Sequence, residues 1–370
     1  MESSTKVLII DDKPDESSTL ATALKTRRNI SAVVRHPNDV EEHDLRGATL
    51  ILADYGLDSW SERDSLEVLG CKPLDGLALA SVIRSHTSKI NEGPVAFGIY
   101  TGKVEEIAGP LPPELRNHAA ARLSNIEWIF EKGSKGVADQ VVCLARAVRN
   151  LPTKWIGDAN EPLLKLLGLL EVNENDFSNV VRNVEACQPP IHEISEWSQG
   201  LAIIRWLLHR IFPYPCFLWD IHYLAARLGL TLESTNTLLE QPNFQKKLAS
   251  CEYRGLLADF DGKRWWRSKL ELMLWELSEG NSGDLTRLQE VVQKLTRKKL
   301  DRLPGRSAVV CIDSRYRQIK NAVDMDLAVR VRPDDWPPYA DSAWATIASV
   351  KKHEKMRALV LDQDRERILS

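Results

Sequence analysis

Val7-Leu8-Ile9-Ile10 runs into Asp11-Asp12, Leu50-Ile51-Leu52-Ala53 into Asp54, Val95 to Tyr100 into Thr101, and Trp128-Ile129-Phe130 into Glu131-Lys132. Short apolar runs bounded by polar residues are the pattern of strands buried on both faces, as in a sheet with helices on either side. The stretches that follow these runs carry apolar residues at helical spacing, most plainly Gly136 to Asn150 after the last of them. The pattern therefore predicts strand–helix alternation and a parallel α/β sheet. Sites in such sheets lie outside the carboxyl ends of the strands. The acids, the threonine and the lysine are predicted to converge on one acidic, cation-binding pocket.

The ordered set Asp11-Asp12, Asp54, Thr101 and Lys132 is joined by Lys13-Pro14 at the start of the first helix, a Pro73-Leu74-Asp75-Gly76 turn, and Gly102 after the threonine. Taken together these residues resemble the receiver domain of two-component response regulators, over roughly the first 150 residues. The resemblance implies a doubly wound, five-stranded parallel sheet of flavodoxin-like topology. It implies that Asp11, Asp12 and Asp54 hold Mg²⁺, that Asp54 accepts a phosphoryl group from a sensor histidine kinase, that Thr101 bonds a phosphoryl oxygen and that Lys132 pairs with it. The chemistry requires these residue types. Converging carboxylates repel one another unless a hard cation neutralises them, and Mg²⁺ prefers oxygen ligands. An aspartate oxygen then attacks phosphorus in line while the cation, ammonium and hydroxyl take up the charge of the equatorial oxygens.

The chain departs from the family pattern in three places. An insertion over Asp58–Cys71 lengthens the loop beside Asp54, and a loop of that length reads as a lid or a docking surface. The stretch from Thr101 to Lys132 is also long, with Gly109-Pro110-Leu111-Pro112-Pro113 breaking any helix that starts directly after the strand. The aromatic residue usual three positions before the lysine is Ile129, with Trp128 beside it, and Gly133 replaces the proline usual after the lysine. Neighbouring strand residues point to opposite faces, so Trp128 does not stand in for the missing ring.

Composition extends the picture without redirecting it. Of the 370 residues 43% are hydrophobic and 27% charged, and the net charge of −3 supplies no global attraction to nucleic acid or anionic membrane. The N-terminus lacks a signal-peptide layout and no apolar stretch spans a bilayer, so a cytoplasmic location and no membrane partner are expected. The six cysteines include no closely spaced pair, which argues for free thiols rather than a zinc knuckle or a disulfide framework.

Leu151-Pro152-Thr153-Lys154 breaks the helical pattern, and nine of the eleven tryptophans lie beyond it. Three domains are expected: a receiver over 1–150, a mostly helical effector or interaction domain over 151–305, and an α+β extension over 306–370 packed on it. Helices are predicted at Glu161–Leu170, Ile194–Phe212, Trp219–Leu230 and Ala343–Leu359, and strands at Ala308–Ile312 and Leu327–Val331. Residues 221–240 have the look of a helix-turn-helix, with Gly229 in the turn and Thr231 as cap. The presumed second helix carries no Arg or Lys, however, and Asp220 to Glu276 balances eight basic against eight acidic side chains. Contact with several phosphates is therefore not expected of it. Gly262–Lys269 mixes cations with Trp265 and Trp266, and reads as a helix start with buried tryptophans. Lys294–Arg306 reads as a solvated basic helix face that could seat an acidic partner. Asp313, Asp324, Asp326, Asp334 and Asp335 read as turn formers and surface ion pairs.

The expected protein is a cytoplasmic phosphoacceptor in a two-component phosphorelay. It uses Mg²⁺, takes its phosphoryl group from a histidine kinase and signals to a downstream effector through protein contacts. Its own chemistry is confined to phosphorylation and dephosphorylation of Asp54, since no catalytic set stands out beyond residue 150. Two alternatives share the sequence: a phosphate sink without output, which fits the lost switch aromatic, and a DNA-binding regulator acting through 221–240.

Overall fold

The computed structural model describes residues 4–60, 73–109, 111, 113–152, 155, 160–169, 174–193, 200–281, 283 and 285–369. They divide into two compact units, Met1–Leu167 with Pro190–His209 and Gly255–Asp261, and Gly168–Pro189 with Arg210–Arg254 and Gly262–Ser370. Each unit is taken by itself.

The first unit is built on five parallel strands: β1 (Thr5–Ile10), β2 (Ile30–Arg35), β3 (Ala48–Ala53), β4 (Ala96–Thr101) and β5 (Trp128–Glu131), in the order β2-β1-β3-β4-β5. The four apolar runs are β1, β3, β4 and β5, so the expected doubly wound sheet is present. Every residue of β3 and β4 is buried, because helices cover both faces. The helices are α1 (Pro14–Lys25), α2 (Glu42–Leu45), α3 (Gly76–Ile90), α4 (Val104–Ala108), α5 (Pro113–Leu123) and α6 (Val137–Arg149). The strand order reverses between β1 and β3, and a crevice opens there at the carboxyl ends. Asp11 follows β1 and Asp54 follows β3. The fold itself therefore brings these acids together.

Alternation along β5 separates two roles. Ile129 is fully buried in the core with Ile99, Phe97 and Leu8. Trp128 and Phe130 share the opposite face. The Trp128 ring stacks on His209 at 6.1 Å and meets Phe260 edge-on at 5.1 Å, while Phe130 meets the same Phe260 at 6.4 Å. Burial lowers the His209 imidazole to about 3, reinforced by neighbouring His118, so the ring packs in its neutral form. Immediately before β5, fully buried Glu127 accepts from the Phe97 amide and from Arg205 of the helix Leu201–Trp206, whose Nε lies at 2.7 Å and Nη2 at 2.6 Å. Chain from well beyond residue 150 thus completes the covering of β5.

The second unit is mainly helical. The helices Ile221–Leu228, Leu232–Leu239, Pro242–Leu248, Arg267–Leu277 and Leu285–Gln293 surround a core of Trp219, Leu224, Leu228, Phe244, Trp265, Leu270, Leu288 and others. Gly229 adopts φ 64° between the first two helices and Thr231 accepts from the Ser234 amide, as the helix-turn-helix pattern requires. Helix Leu232–Leu239 exposes Glu233 and Asn236. Its first turn is held by Asn321 Oδ1, which accepts from Leu232 N at 2.9 Å, and Ser234 Oγ accepts from Asp301 N at 2.7 Å.

Four elements differ from the predicted ones. Ala343–Thr346 is a strand paired antiparallel with Ala328–Val331, and helix begins only at Ile347, where Thr346 accepts from Ser349 N. The helical spacing of Ala343–Leu359 is overridden at its start because Ala343 and Ala345 fill the small core of Val329, Val331, Val350 and Met356. Lys294–Arg306 is irregular backbone, not a helix face, since the helix ends at Gln293 and Leu300 and Leu303 turn inward. Trp219 lies in a two-residue strand with Leu218 rather than in the predicted helix, which starts only at Ile221 after its Asp220 cap. Trp265-Trp266 is likewise a short strand, paired with Leu218-Trp219 and followed by helix Arg267–Leu277, and both rings are buried, so neither presents a stacking face. The predicted helix Ile194–Phe212 is helical from Leu201, with 194–199 outside the described residues.

Candidate functional site

Two chain reversals set the acids in place. β1 hands over to α1 through Asp11, Asp12 and Lys13, with Pro14 fitting the first helical turn because it has no amide hydrogen to satisfy there. β3 hands over to Asp54 and Tyr55. The Pro73-Leu74-Asp75-Gly76 turn then brings α3 back against this strand end: Asp75 caps the helix by accepting from Ala78 N at 2.8 Å, and Gly76 N donates to Tyr55 O at 3.0 Å. The approach is so close that a β-carbon on Gly76 would stand 2.0 Å from the Asp54 carbonyl oxygen. Gly76→Ala therefore has to push α3 away from Asp54. The expected cost is on the order of 1–3 kcal/mol in urea unfolding. Gly102→Ala, whose added carbon meets nothing within 4 Å, is expected to unfold within roughly 0.5 kcal/mol of the parent.

The structure places all five predicted residues at one end of the sheet. Asp11, Asp12 and Asp54 are buried, and each offers an oxygen within 4.8 Å of the others. Among the described residues they are the only such group of acids, histidines or cysteines, and the aspartates between 313 and 335 form none. Lys132 follows β5, anchored by its amide to Thr101 O at 2.8 Å. Its ammonium lies 2.9 Å from Asp11 Oδ2, 3.3 Å from Asp54 Oδ1 and 3.5 Å from Glu16 Oε2. Thr101 ends β4 with a buried hydroxyl whose oxygen accepts from Lys103 N at 3.0 Å, leaving its hydrogen for an oxygen in the cavity. That cavity, about 240 Å³, is lined by Asp12, Asp54, Thr101 and Lys132 with Glu16 and Lys103.

The electrostatics describe a site short of positive charge. Burial raises the Asp54 carboxyl from 3.8 to about 6; Lys132 opposes the shift and Asp11 adds to it. Burial alone would lower the Lys132 ammonium, but its hydrogen bond to Asp11 and the charges of Asp11 and Asp54 overcome that and hold it above its ordinary value. One ammonium cannot neutralise three buried carboxylates. The donor set, oxygen only and convergent, fits a hard divalent cation such as Mg²⁺.

Several participants escaped the sequence reading. Ser17, fully buried on α1, donates to Asp11 Oδ2 at 2.5 Å. Ser59 N donates to Asp12 Oδ2 at 2.6 Å, and Asp58 pairs with Lys103 at 2.7 Å. Of the insertion Asp58–Cys71, Asp58 and Ser59 are therefore tied to the site and its rim, Trp60 is buried in the core and donates to Asn38 Oδ1 at 2.8 Å, and 61–71 lie outside the described residues. Helical periodicity marks Ser17 only as a small polar residue, and nothing local in the sequence links it to Asp11.

No protein-family model matches the chain, and no curated protein matches it. Among solved structures it is similar to the response regulator RcsB of Salmonella typhimurium, at 16% identity over 64% of this chain and 88% of that one, with a TM-score of 0.28. It is also similar to ChrA, a response regulator of a heme-sensing two-component system, at 16% identity over 66% and 90% of the two chains, with a TM-score of 0.24. At these values the likeness assigns neither activity nor partner to this chain.

Proposed function

We propose that this chain is a response-regulator-like phosphoacceptor of a two-component phosphorelay, with Asp54 as the acceptor. The observation that carries this reading is the convergence of Asp11, Asp12 and Asp54, with Lys132 bridging Asp11 and Asp54, beside a cavity that Asp12, Asp54, Thr101 and Lys132 line. Asp11, Asp12 and Asp54 would hold Mg²⁺, which when bound neutralises the acids and polarises the phosphoryl oxygens. An Asp54 oxygen attacks the phosphorus of a phosphohistidine or a small phosphodonor. The bond from phosphorus to the leaving group breaks as the new P–O bond forms, and the leaving nitrogen or oxygen departs with the bonding pair. Lys132 and Thr101 take the charge that builds on the equatorial oxygens. Hydrolysis of the acyl phosphate by water returns the free carboxylate.

The partner is a sensor histidine kinase in the cytoplasm, and output passes through protein contacts. β5 supports a protein route: Lys132 follows it directly, and its outward face carries Trp128 and Phe130 against His209 and Phe260. A phosphate-sink reading is favoured by one feature, the buried Ile129 at the position where the family places its switch aromatic. The DNA-binding reading draws no support from helix Leu232–Leu239, whose exposed positions include Glu233 and Asn236. Among the described residues no helix is long and apolar enough to cross a membrane.

The test is intact-protein mass after incubation with Mg²⁺ and acetyl phosphate, for the parent and for Asp54→Asn. One added phosphoryl group, dependent on Mg²⁺ and absent from the variant, is expected. Equal gain in both proteins would move the acceptor elsewhere, and no gain with no Mg²⁺ binding would leave the fold as a docking module.

A further inference from the structure

Asp11 is fully buried and receives three hydrogen bonds: Lys13 N to Oδ1 at 2.8 Å, Lys132 Nζ to Oδ2 at 2.9 Å and Ser17 Oγ to Oδ2 at 2.5 Å. The three donors differ in what they do when the site works. Lys132 is shared with Asp54, at 3.3 Å, and is drawn toward a phosphoryl group there. The Lys13 amide belongs to the backbone of the turn. Ser17 is the side-chain donor that serves Asp11 alone.

A hydroxyl suits this position for a physical reason. It occupies a lone pair of Oδ2 and fixes the plane of the carboxylate, yet brings no positive charge that would compete with a bound cation. A serine in the first turns of a helix often bonds a backbone carbonyl instead. Here the hydroxyl, fully buried, turns to Asp11. From this geometry we propose that Ser17 is a positioning residue for the divalent cation, holding Asp11 in its ligating orientation while Lys132 moves between Asp11 and the acceptor. The inference rests on the reading of Asp11, Asp12 and Asp54 as the cation site.

The experiment is a calorimetric Mg²⁺ titration of the full chain for the parent, Ser17→Ala and Ser17→Thr, with melting curves recorded without Mg²⁺. Outer-shell partners of metal ligands typically change affinity by about 10–100-fold. Ser17→Ala is therefore expected to weaken Mg²⁺ at least about 10-fold, with little change in the Mg²⁺-free melting temperature, and Ser17→Thr to recover most of the loss. Should Ser17→Ala bind Mg²⁺ within about twofold of the parent, well below the effect expected of such a partner, Ser17 would be a packing residue and the inference would fall alone. A melting temperature lowered with affinity unchanged would lead to the same conclusion. A parent chain that binds no Mg²⁺ would overturn the cation-site reading itself. If Ser17→Thr melts early because its methyl does not fit, Ser17→Cys, a weak donor of similar shape, is expected to fall between the parent and the alanine variant.

Discussion

Replacing Lys132 with alanine is expected to slow phosphoryl uptake at Asp54 by about 10²–10³-fold, the usual effect of removing one donor to developing negative charge, while tightening Mg²⁺ binding. The two halves of this result have one cause. In the resting site the Lys132 ammonium is the counter-charge to buried acids, 2.9 Å from Asp11 and 3.3 Å from Asp54. Its removal leaves their mutual repulsion unrelieved, which makes a divalent cation more welcome. The same removal takes away the group that meets the phosphoryl oxygens, and the threonine hydroxyl alone does not replace a full charge. Rates of mass gain with acetyl phosphate at saturating Mg²⁺, set beside calorimetric Mg²⁺ affinities, test both halves. A variant that is phosphorylated within a few-fold of the parent rate would remove Lys132 from the chemistry. A variant that binds Mg²⁺ more weakly would mean that Lys132 chiefly organises Asp11.

Arg205→Leu is expected to destabilise the first unit by about 3–5 kcal/mol, the range for removing one partner of a buried ion pair. Glu127 is fully buried just before β5, and without Arg205 its carboxylate retains the Phe97 amide as hydrogen-bond donor and only the more distant charge of Arg84. The loss has a diagnostic signature. Adding Glu127→Gln to Arg205→Leu removes the stranded charge and should recover part of the stability, so that a double-mutant cycle shows coupling well above the few tenths of a kcal/mol typical of independent sites. Urea unfolding of the four proteins measures it. A cost below about 1 kcal/mol for Arg205→Leu would place the pair with weak surface bridges and remove the anchor that ties helix Leu201–Trp206 to β5.

Legibility differed sharply between the strands and what covers them. β1, β3, β4 and β5 are legible because their faces are buried on both sides, so that nearly every position must be apolar whatever its neighbours. β2 is an edge strand with a burial pattern of alternating and intermediate positions, and Ile30-Ser31-Ala32-Val33-Val34-Arg35 announces itself only through the family resemblance. Ala343–Thr346 misled in the opposite direction: two alanines suit a helix as well as a strand, and pairing with Ala328–Val331 decided between them.

The sequence by itself determined the sheet and which side chains gather at its carboxyl end, since Asp11, Asp12, Asp54, Thr101 and Lys132 each sit at the end of, or within two residues beyond, an apolar run that forms a buried strand. Strand ends are local facts, and a parallel sheet carries them all to the same edge. Only the tertiary structure decided which groups hold those residues and what covers β5. The Ser17 hydroxyl on Asp11, the Ser59 amide on Asp12, and the Arg205 guanidinium on Glu127, 78 residues away in sequence, are contacts between side chains or amides whose local patterns do not specify them. A hydrogen bond depends on distances of a few tenths of an ångström, and those are set by how whole elements pack rather than by the spacing of residues along the chain.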